Sequence, residues 1–167
     1  GGLYESDDNN MVSWDSLPAG CGFNFNVAQN GSGSYTNIQA AVYGLGTALA
    51  ADSCVSVTDE AMYKEQVSVE NIAVNGHRLT LRRGGAQTDA NSRPVLIPPD
   101  DVEAVFLIKN DSVTVQGMGI SVNRGVQYGV KISSQYARVD DLRLNDSEGL
   151  MTGAGVYLST QGSVANS

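Results

Sequence analysis

The chain has 167 residues, of which 41% are hydrophobic and only 17% are charged, and its formal net charge is −8. This length and hydrophobic content suit one domain with its own core, while the acidic surplus disfavours nucleic acid and anionic membranes as partners. No apolar run reaches the roughly 18 residues of a membrane span. The 19 glycines, with many Ser, Asn and Thr, indicate the frequent turns of an all-β protein.

Residues 1–29 are predicted to form an irregular arm. The arm contains large aromatic side chains, including Trp14 and Phe23, so we expect it to pack on the rest of the domain. The alternating segment "FNFNV" could be a strand. The chain starts at Gly1 without a signal-peptide pattern, so we expect that a signal peptide was removed or that the sequence was cut from a larger one. The acidic surplus is compatible with solubility outside the cell, and we expect a secreted or cell-surface location.

Residues 30–52 are predicted to form a turn followed by a helix. Glycines at 31 and 33 suit the turn, and Ser34 or Thr36 is expected to cap the helix. The apolar residues recur at helical spacing, and alanines up to Ala51 extend the pattern. The apolar residues at helical spacing form a single stripe: Ile38, Ala41, Val42, Leu45 and Leu49. A helix with one apolar stripe before a series of strands suits a cap over the open end of a solenoid.

Residues 53–167 show an internal repeat of short apolar strands. Residues 105–121, laid over 129–145 at a shift of 24, superpose five apolar positions without a gap. The pairs are Phe106 with Val130, Ile108 with Ile132, Val115 with Val139, Met118 with Leu142, and Ile120 with Leu144. A shift of 26 then lays Val130 on Val156, and a shift of 34 lays Leu79 on Val113. The longer shift places an insertion, a surface loop, at residues 84–93.

A repeat of about 24 residues predicts a right-handed parallel β-helix, in which coils stack about 4.8 Å apart and like positions form a continuous core. A β-sandwich is the structural alternative, but only Asn30-Gly31 and Asn75-Gly76 have the hairpin signature that it would need. The segment "GVYLSTQGSVANS" begins a coil without a capping element. We therefore expect a β-helix that is incomplete at its C-terminus, where a downstream domain or another copy would make contact.

Two segments carry a family resemblance. "NGSGSYTNIQAAV", from Asn30 to Val42, is followed by "YKEQVSV", from Tyr63 to Val69. Together they resemble the N-terminal end of the pectin-lyase-like β-helix proteins, most closely the pectin methylesterase pattern "DGSGxYTTIQAAV" with "GTYKEQV". The resemblance covers about a quarter of the chain and implies the fold. The esterase motifs "QDTL", "DFIFG" and "LGRPW" and the lyase motif "WIDH" are absent, so it does not carry over an activity.

The two cysteines, Cys21 and Cys54, flank the helical segment. A disulfide between them would tie the N-terminal arm to the first strand of the solenoid and close a loop worth about 3–4 kcal/mol. The alternative is two buried free thiols.

The best acidic cluster consists of Asp140, Asp141 and Asp146, with Glu148 nearby. Carboxylates on neighbouring strand ends could hold Ca²⁺ as a cofactor or act as the acid and base of a glycosidase. Asp140 and Asp141 align with a turn, however, where aspartate is ordinary for structural reasons alone.

Tyr128 and Tyr157 fall close together in adjacent coils. Exposed aromatic faces stack on sugar rings, and Arg124 could form a bidentate hydrogen bond with the carboxylate of an acidic sugar. Packing at a strand edge would explain the tyrosines equally well.

These observations favour an extracellular β-helix module with a structural or carbohydrate-binding role and no complete active site. Its partner would be a polysaccharide or cell-wall glycan. One alternative is the N-terminal portion of a polysaccharide-active lyase, esterase or glycosidase. A second is a surface or filament subunit that self-assembles through its open end.

Overall fold

The computed structural model describes residues 20–84, 92–159 and 162–165. These residues form an all-β solenoid of about five turns, with one short helix. Residues 1–19 of the predicted arm, with Trp14, and residues 85–91 of the predicted insertion lie outside the described ranges.

The described elements follow one another along the chain as short strands with a single helix after the first of them. In chain order they are β1 (Phe23–Val27), α1 (Ile38–Gly44), β2 (Ser53–Val57), β3 (Met62–Lys64), β4 (Val67–Val69), β5 (Leu79–Arg83), β6 (Val95–Ile97), β7 (Ala104–Ile108), β8 (Val113–Gln116), β9 (Gly119–Ser121), β10 (Val126–Ile132), β11 (Ala137–Asp140), β12 (Arg143–Asn145), β13 (Met151–Leu158) and β14 (Gly162–Ala165).

The strands form three parallel sheets that run along the solenoid. The first sheet has the order β14-β11-β8-β5-β2-β1, the second β12-β9-β6-β3 and the third β13-β10-β7-β4. Each full coil therefore contributes one strand to each sheet, and every strand pairing described is parallel. This pattern confirms the parallel β-helix. It excludes the β-sandwich, whose sheets are built from antiparallel strands.

The observed register confirms the three sequence shifts. Val130 lies beside Phe106 on one side and Val156 on the other, and Leu79 lies beside Val113. The inward positions are buried because alternate strand residues point into the solenoid, where each stacks on its counterpart in the next coil. One such column is fully buried in four successive coils: Val55, Leu81, Val115 and Val139.

The helix is shorter than the apolar pattern predicts. It ends at Gly44, and the chain turns at Gly46, whose φ of 79° is in the left-handed region. The extension to Ala51 is wrong because the Leu49 N–H already donates to the Ala73 carbonyl at 2.8 Å, in a parallel bridge with the first coil. The expected caps Ser34 and Thr36 are also wrong. The N-cap is Asn37, whose side chain accepts from the Ala40 N–H at 2.8 Å.

The helix covers one edge of the third sheet. Its apolar residues Ile38, Ala41 and Val42 are buried against the first strands. On its other side, the Gln39 amide accepts from the Ser68 N–H at 2.6 Å and donates to the Ser68 carbonyl at 3.1 Å. A side chain thus replaces the next strand at the edge strand β4, which confirms the capping role of the helix.

The Glu65 carboxylate ties the start of the helix to the first coil. Its two oxygens accept from the Ile38 and Gln39 N–H groups, each at 2.9 Å. These N–H groups lack partners within the helix, so the carboxylate satisfies two donors that would otherwise be left unpaired. Glu65 belongs to the "YKE" segment, whose role here is structural.

At the other end of the solenoid two inward columns, one on the second sheet and one on the third, are less covered. Leu144 is 39% exposed and Leu158 is 38% exposed, although they lie in register with the buried Ile120 and Ile132. Beyond their coil the described residues supply only β14, which extends the first sheet alone.

Among the described residues, no helix has both the length and the apolar content that crossing a bilayer requires.

Candidate functional site

A disulfide joins Cys21 to Cys54, with 5.4 Å between their Cα atoms. Both cysteines are buried. Cys54 lies on β2 and Cys21 lies two residues before β1, so the bond ties the N-terminal segment to the first sheet.

The two tyrosines predicted to bind carbohydrate do come together. The ring centroids of Tyr128 and Tyr157 are 4.8 Å apart and the ring planes differ by 20°. In the register Tyr128 lies beside Ala154 and Tyr157 lies beside Lys131, so the two rings stack diagonally across the adjacent strands β10 and β13. One face of each ring is therefore covered by the other ring, which limits what a sugar could reach from the side of the solenoid.

The charged groups near the tyrosine pair are already engaged. The Lys131 ammonium lies 5.8 Å from the centre of the Tyr128 ring and 2.6 Å from the Glu103 carboxylate, and this hydrogen bond raises the pKa of Lys131. Arg124, the third predicted carbohydrate-binding residue, forms an ion pair with Asp100. The tyrosine pair and Arg124 thus have structural partners within the described residues.

The three aspartates predicted to bind Ca²⁺ are held by different groups. Asp140, the last residue of β11, pairs with Arg138 at 3.4 Å, and Asp141 pairs with Arg93 at 3.4 Å. Asp146 accepts from the backbone N–H groups of Leu150 and Met151, at 2.7 and 3.0 Å. Within the described ranges, no three His, Cys, Asp or Glu side chains come together to hold a metal ion.

A groove of about 360 Å³ runs over the outer face of the second sheet. Its centre is one outward-facing column, in which Met62, Val95, Gly119 and Arg143 lie side by side in four successive coils. Met62 is 57% exposed. The groove therefore has an apolar floor at one end and a guanidinium group at the other.

Gly119 gives the groove its depth. A Cβ atom at this position would lie 3.3 Å from Val95 Cγ2 and 3.4 Å from Arg93 Cδ. Any larger side chain would occupy the space between its two neighbours in the column. The absence of a side chain at Gly119 is thus what opens the middle of the groove.

The polar groups of the groove lie along its edges. Arg93 is almost completely buried, and its guanidinium donates to the Asp141 carbonyl at 2.9 Å. Arg143 and Asn145 are exposed, and Ser121 lies beside Asn145 in the register. An apolar floor with a few polar groups at its rim is the usual construction of a small-ligand site.

Sequence reasoning missed this groove, although a signal was present. The shift of 24 residues that aligns the core also lays Gly119 on Arg143 and Ser121 on Asn145. These are the outward positions of the same two strands. The outward columns, like the inward ones, can therefore be read from the repeat.

Comparison of the chain with protein-family models, with curated proteins and with solved structures gives no match.

Proposed function

We propose that this chain is a β-helix module that binds carbohydrate in the groove on the outer face of the second sheet, and that it works outside the cell. The observation that carries the proposal is the combination of an apolar column, a glycine gap and a polar rim in one groove. The Cys21–Cys54 disulfide supports the extracellular location, since disulfides persist in oxidising compartments.

The two kinds of surface on a sugar ring match the two parts of the groove. The C–H face of a pyranose can lie on Met62 and Val95, while its hydroxyls can meet Arg143, Asn145 and Ser121 at the rim. The volume of about 360 Å³ is at the lower end of the range for ligand sites, which suits a short glycan segment.

The groove is built for binding. Its described lining supplies two guanidinium groups, a hydroxyl and an amide. Hydrolysis of a glycosidic bond usually relies on a pair of carboxylates on either side of the bond. The alternative that the chain is the N-terminal portion of a polysaccharide-active enzyme therefore needs its catalytic groups from elsewhere.

The experiment is a glycan array followed by calorimetry with the best ligand. Gly119→Val fills the groove and should weaken binding on the order of tenfold or more, which corresponds to about 1.4 kcal/mol. Gly125→Val is the matched control, because a Cβ at Gly125 meets nothing within 4 Å and the residue does not line the groove. Unchanged affinity in Gly119→Val, or no glycan bound at all, refutes the proposal. Release of shortened products would favour the enzyme.

Self-assembly is the second candidate function, and the partial exposure of Leu144 and Leu158 favours it. Because α1 covers the edge of the third sheet at the N-terminal end, a pair of copies meeting where Leu144 and Leu158 are exposed fits better than a filament. Sedimentation velocity of the wild type and of Leu158→Lys is the test. A concentration-dependent dimer that Leu158→Lys abolishes supports assembly, and a monomer at all concentrations refutes it.

A further inference from the structure

A second pocket, of about 190 Å³, lies on the first sheet around Arg82. Arg82 is on β5, and its neighbour in the register on β8 is Gln116. Arg83 and Gly117 lie one position farther along, where both strands end, and Asp141 completes the lining. The pocket therefore sits at the corner where three successive coils leave the first sheet.

Arg82 is the unusual residue of this pocket. Its guanidinium is partly buried, and its Nε donates to the Arg83 carbonyl at 3.3 Å. No carboxylate of the described residues forms an ion pair with it. Burial lowers the pKa of Arg82, which reflects the cost of holding a positive charge away from water. A charge in this position is stabilised most directly by an anion.

The rest of the pocket does not neutralise Arg82. Asp141, the acid among the described lining residues, is paired with Arg93, which also donates to the Asp141 carbonyl. The Arg83 Nη1 atom donates to the Ser92 carbonyl at 3.0 Å, an uncharged acceptor. The described lining thus supplies no carboxylate for Arg82 that does not already have its own cation.

Gly117 keeps the pocket open. Its φ of 71° is in the left-handed region, and a Cβ atom there would lie 3.0 Å from Arg83 Cβ. Gln116 is exposed beside it and brings a side-chain amide to the edge of the pocket. The pocket therefore has room for a small group, with donors from Arg82 and Gln116 at its wall.

We propose that this pocket binds a small oxyanion, namely a carboxylate, sulfate or phosphate group, through Arg82 with Gln116 beside it. The planar guanidinium offers two parallel N–H donors, which match the oxygen pairs of these groups. The oxyanion can be a free ion or the acidic substituent of a sugar. The second source, an acidic sugar, rests on the proposed function. The two sites are neighbours, because Arg93 lines the groove and its partner Asp141 lines the pocket.

The first experiment measures thermal unfolding and calorimetric binding with sodium sulfate, sodium phosphate and sodium acetate. Ionic strength is held constant with chloride, because general screening also changes stability. The wild type should be stabilised saturably by at least one of the three anions. Arg82→Met should abolish this effect, whereas Arg138→Met, an exposed arginine on the same sheet, should retain it. Without an anion, Arg82→Met should be at least as stable as the wild type, because the substitution removes a desolvated charge.

Arg82→Lys keeps the charge without the planar pair of donors, and should weaken anion binding on the order of tenfold. If Arg82→Met folds poorly, Arg82→Lys still tests whether the anion binds through the guanidinium. Absence of saturable stabilisation by all three anions overturns the proposal. So does anion binding that Arg82→Met and Arg82→Lys leave unchanged.

The second experiment separates the sources of the anion with glucuronate and a sulfated oligosaccharide as probes. If Gly119→Val weakens binding of the oligosaccharide but leaves sulfate binding intact, an acidic glycan occupies both sites. If the sulfate ion binds through Arg82 and neither saccharide does, the site takes a free anion, and it stands even if the carbohydrate proposal fails.

Discussion

The contact between Gln39 and Ser68 makes a sharp test of how the helix seals the β-helix. Gln39→Met keeps the length of the side chain and nearly the same helix propensity, so the substitution removes only the two hydrogen bonds. These bonds, at 2.6 and 3.1 Å, join the amide to the backbone of the edge strand β4 in a partly buried position.

The expected loss follows from those two bonds. Each hydrogen bond contributes about 0.5–1.5 kcal/mol net, so Gln39→Met should lower the free energy of unfolding by about 2 kcal/mol. For a domain of this size that corresponds to a melting temperature about 4–8 °C lower. Because the Ser68 N–H loses its acceptor, its hydrogen exchange should become faster.

The assay is urea unfolding followed by circular dichroism, together with amide hydrogen exchange at Ser68. Gln135→Met, at an exposed turn position, is the control and should change stability by less than about 0.5 kcal/mol. The reasoning is refuted if Gln39→Met unfolds at the wild-type urea concentration and the exchange of the Ser68 amide does not change.

Three further predictions concern the core, the cap and the disulfide. Ile132→Ala should destabilise the protein by about 2–5 kcal/mol, whereas Leu158→Ala, next to it in the same column, should cost clearly less because Leu158 is 38% exposed. Burial raises the pKa of Glu65 above its ordinary 4.5, so its contribution to stability is largest below pH 4.5 and is lost as pH rises through the folded-state pKa. Glu65→Gln should remove this pH dependence. Replacing Cys21 and Cys54 with serine should lower stability by about 4 kcal/mol, because the disulfide closes a loop with a separation of 33 residues.

Each of these predictions has a measurement that can contradict it. Equal unfolding free energies for the two alanine variants would contradict the difference in burial between Ile132 and Leu158. The stability difference between wild type and Glu65→Gln should be measured from pH 4 to 8, and a difference independent of pH would refute the assigned pKa shift. For the disulfide, the reduced wild type should match the double serine variant in urea unfolding.

The register of the β-helix could be predicted from the sequence because it is carried by repetition. Val115 and Val139 stack because every coil places an apolar residue at the same step, and the inward column is visible as a shift of 24 residues. The end of the α-helix α1 could not be predicted from a repeat. Its apolar spacing continues past Gly44, but Leu49 forms a backbone hydrogen bond with Ala73 of the first coil.

The candidate sites also depended on contacts between residues far apart in the sequence. The repeat places Tyr128 and Tyr157 in adjacent coils, but only the tertiary structure shows that their rings stack on each other. Some arginines have partners in distant parts of the chain, as with Arg93 and Asp141, which are 48 residues apart. The sequence by itself determined the coil and its inward face, since burial of an apolar repeat needs only the period. The outward groove and the absence of a carboxylate partner for Arg82 among the described residues depend on contacts between coils. Only the tertiary structure decided these contacts.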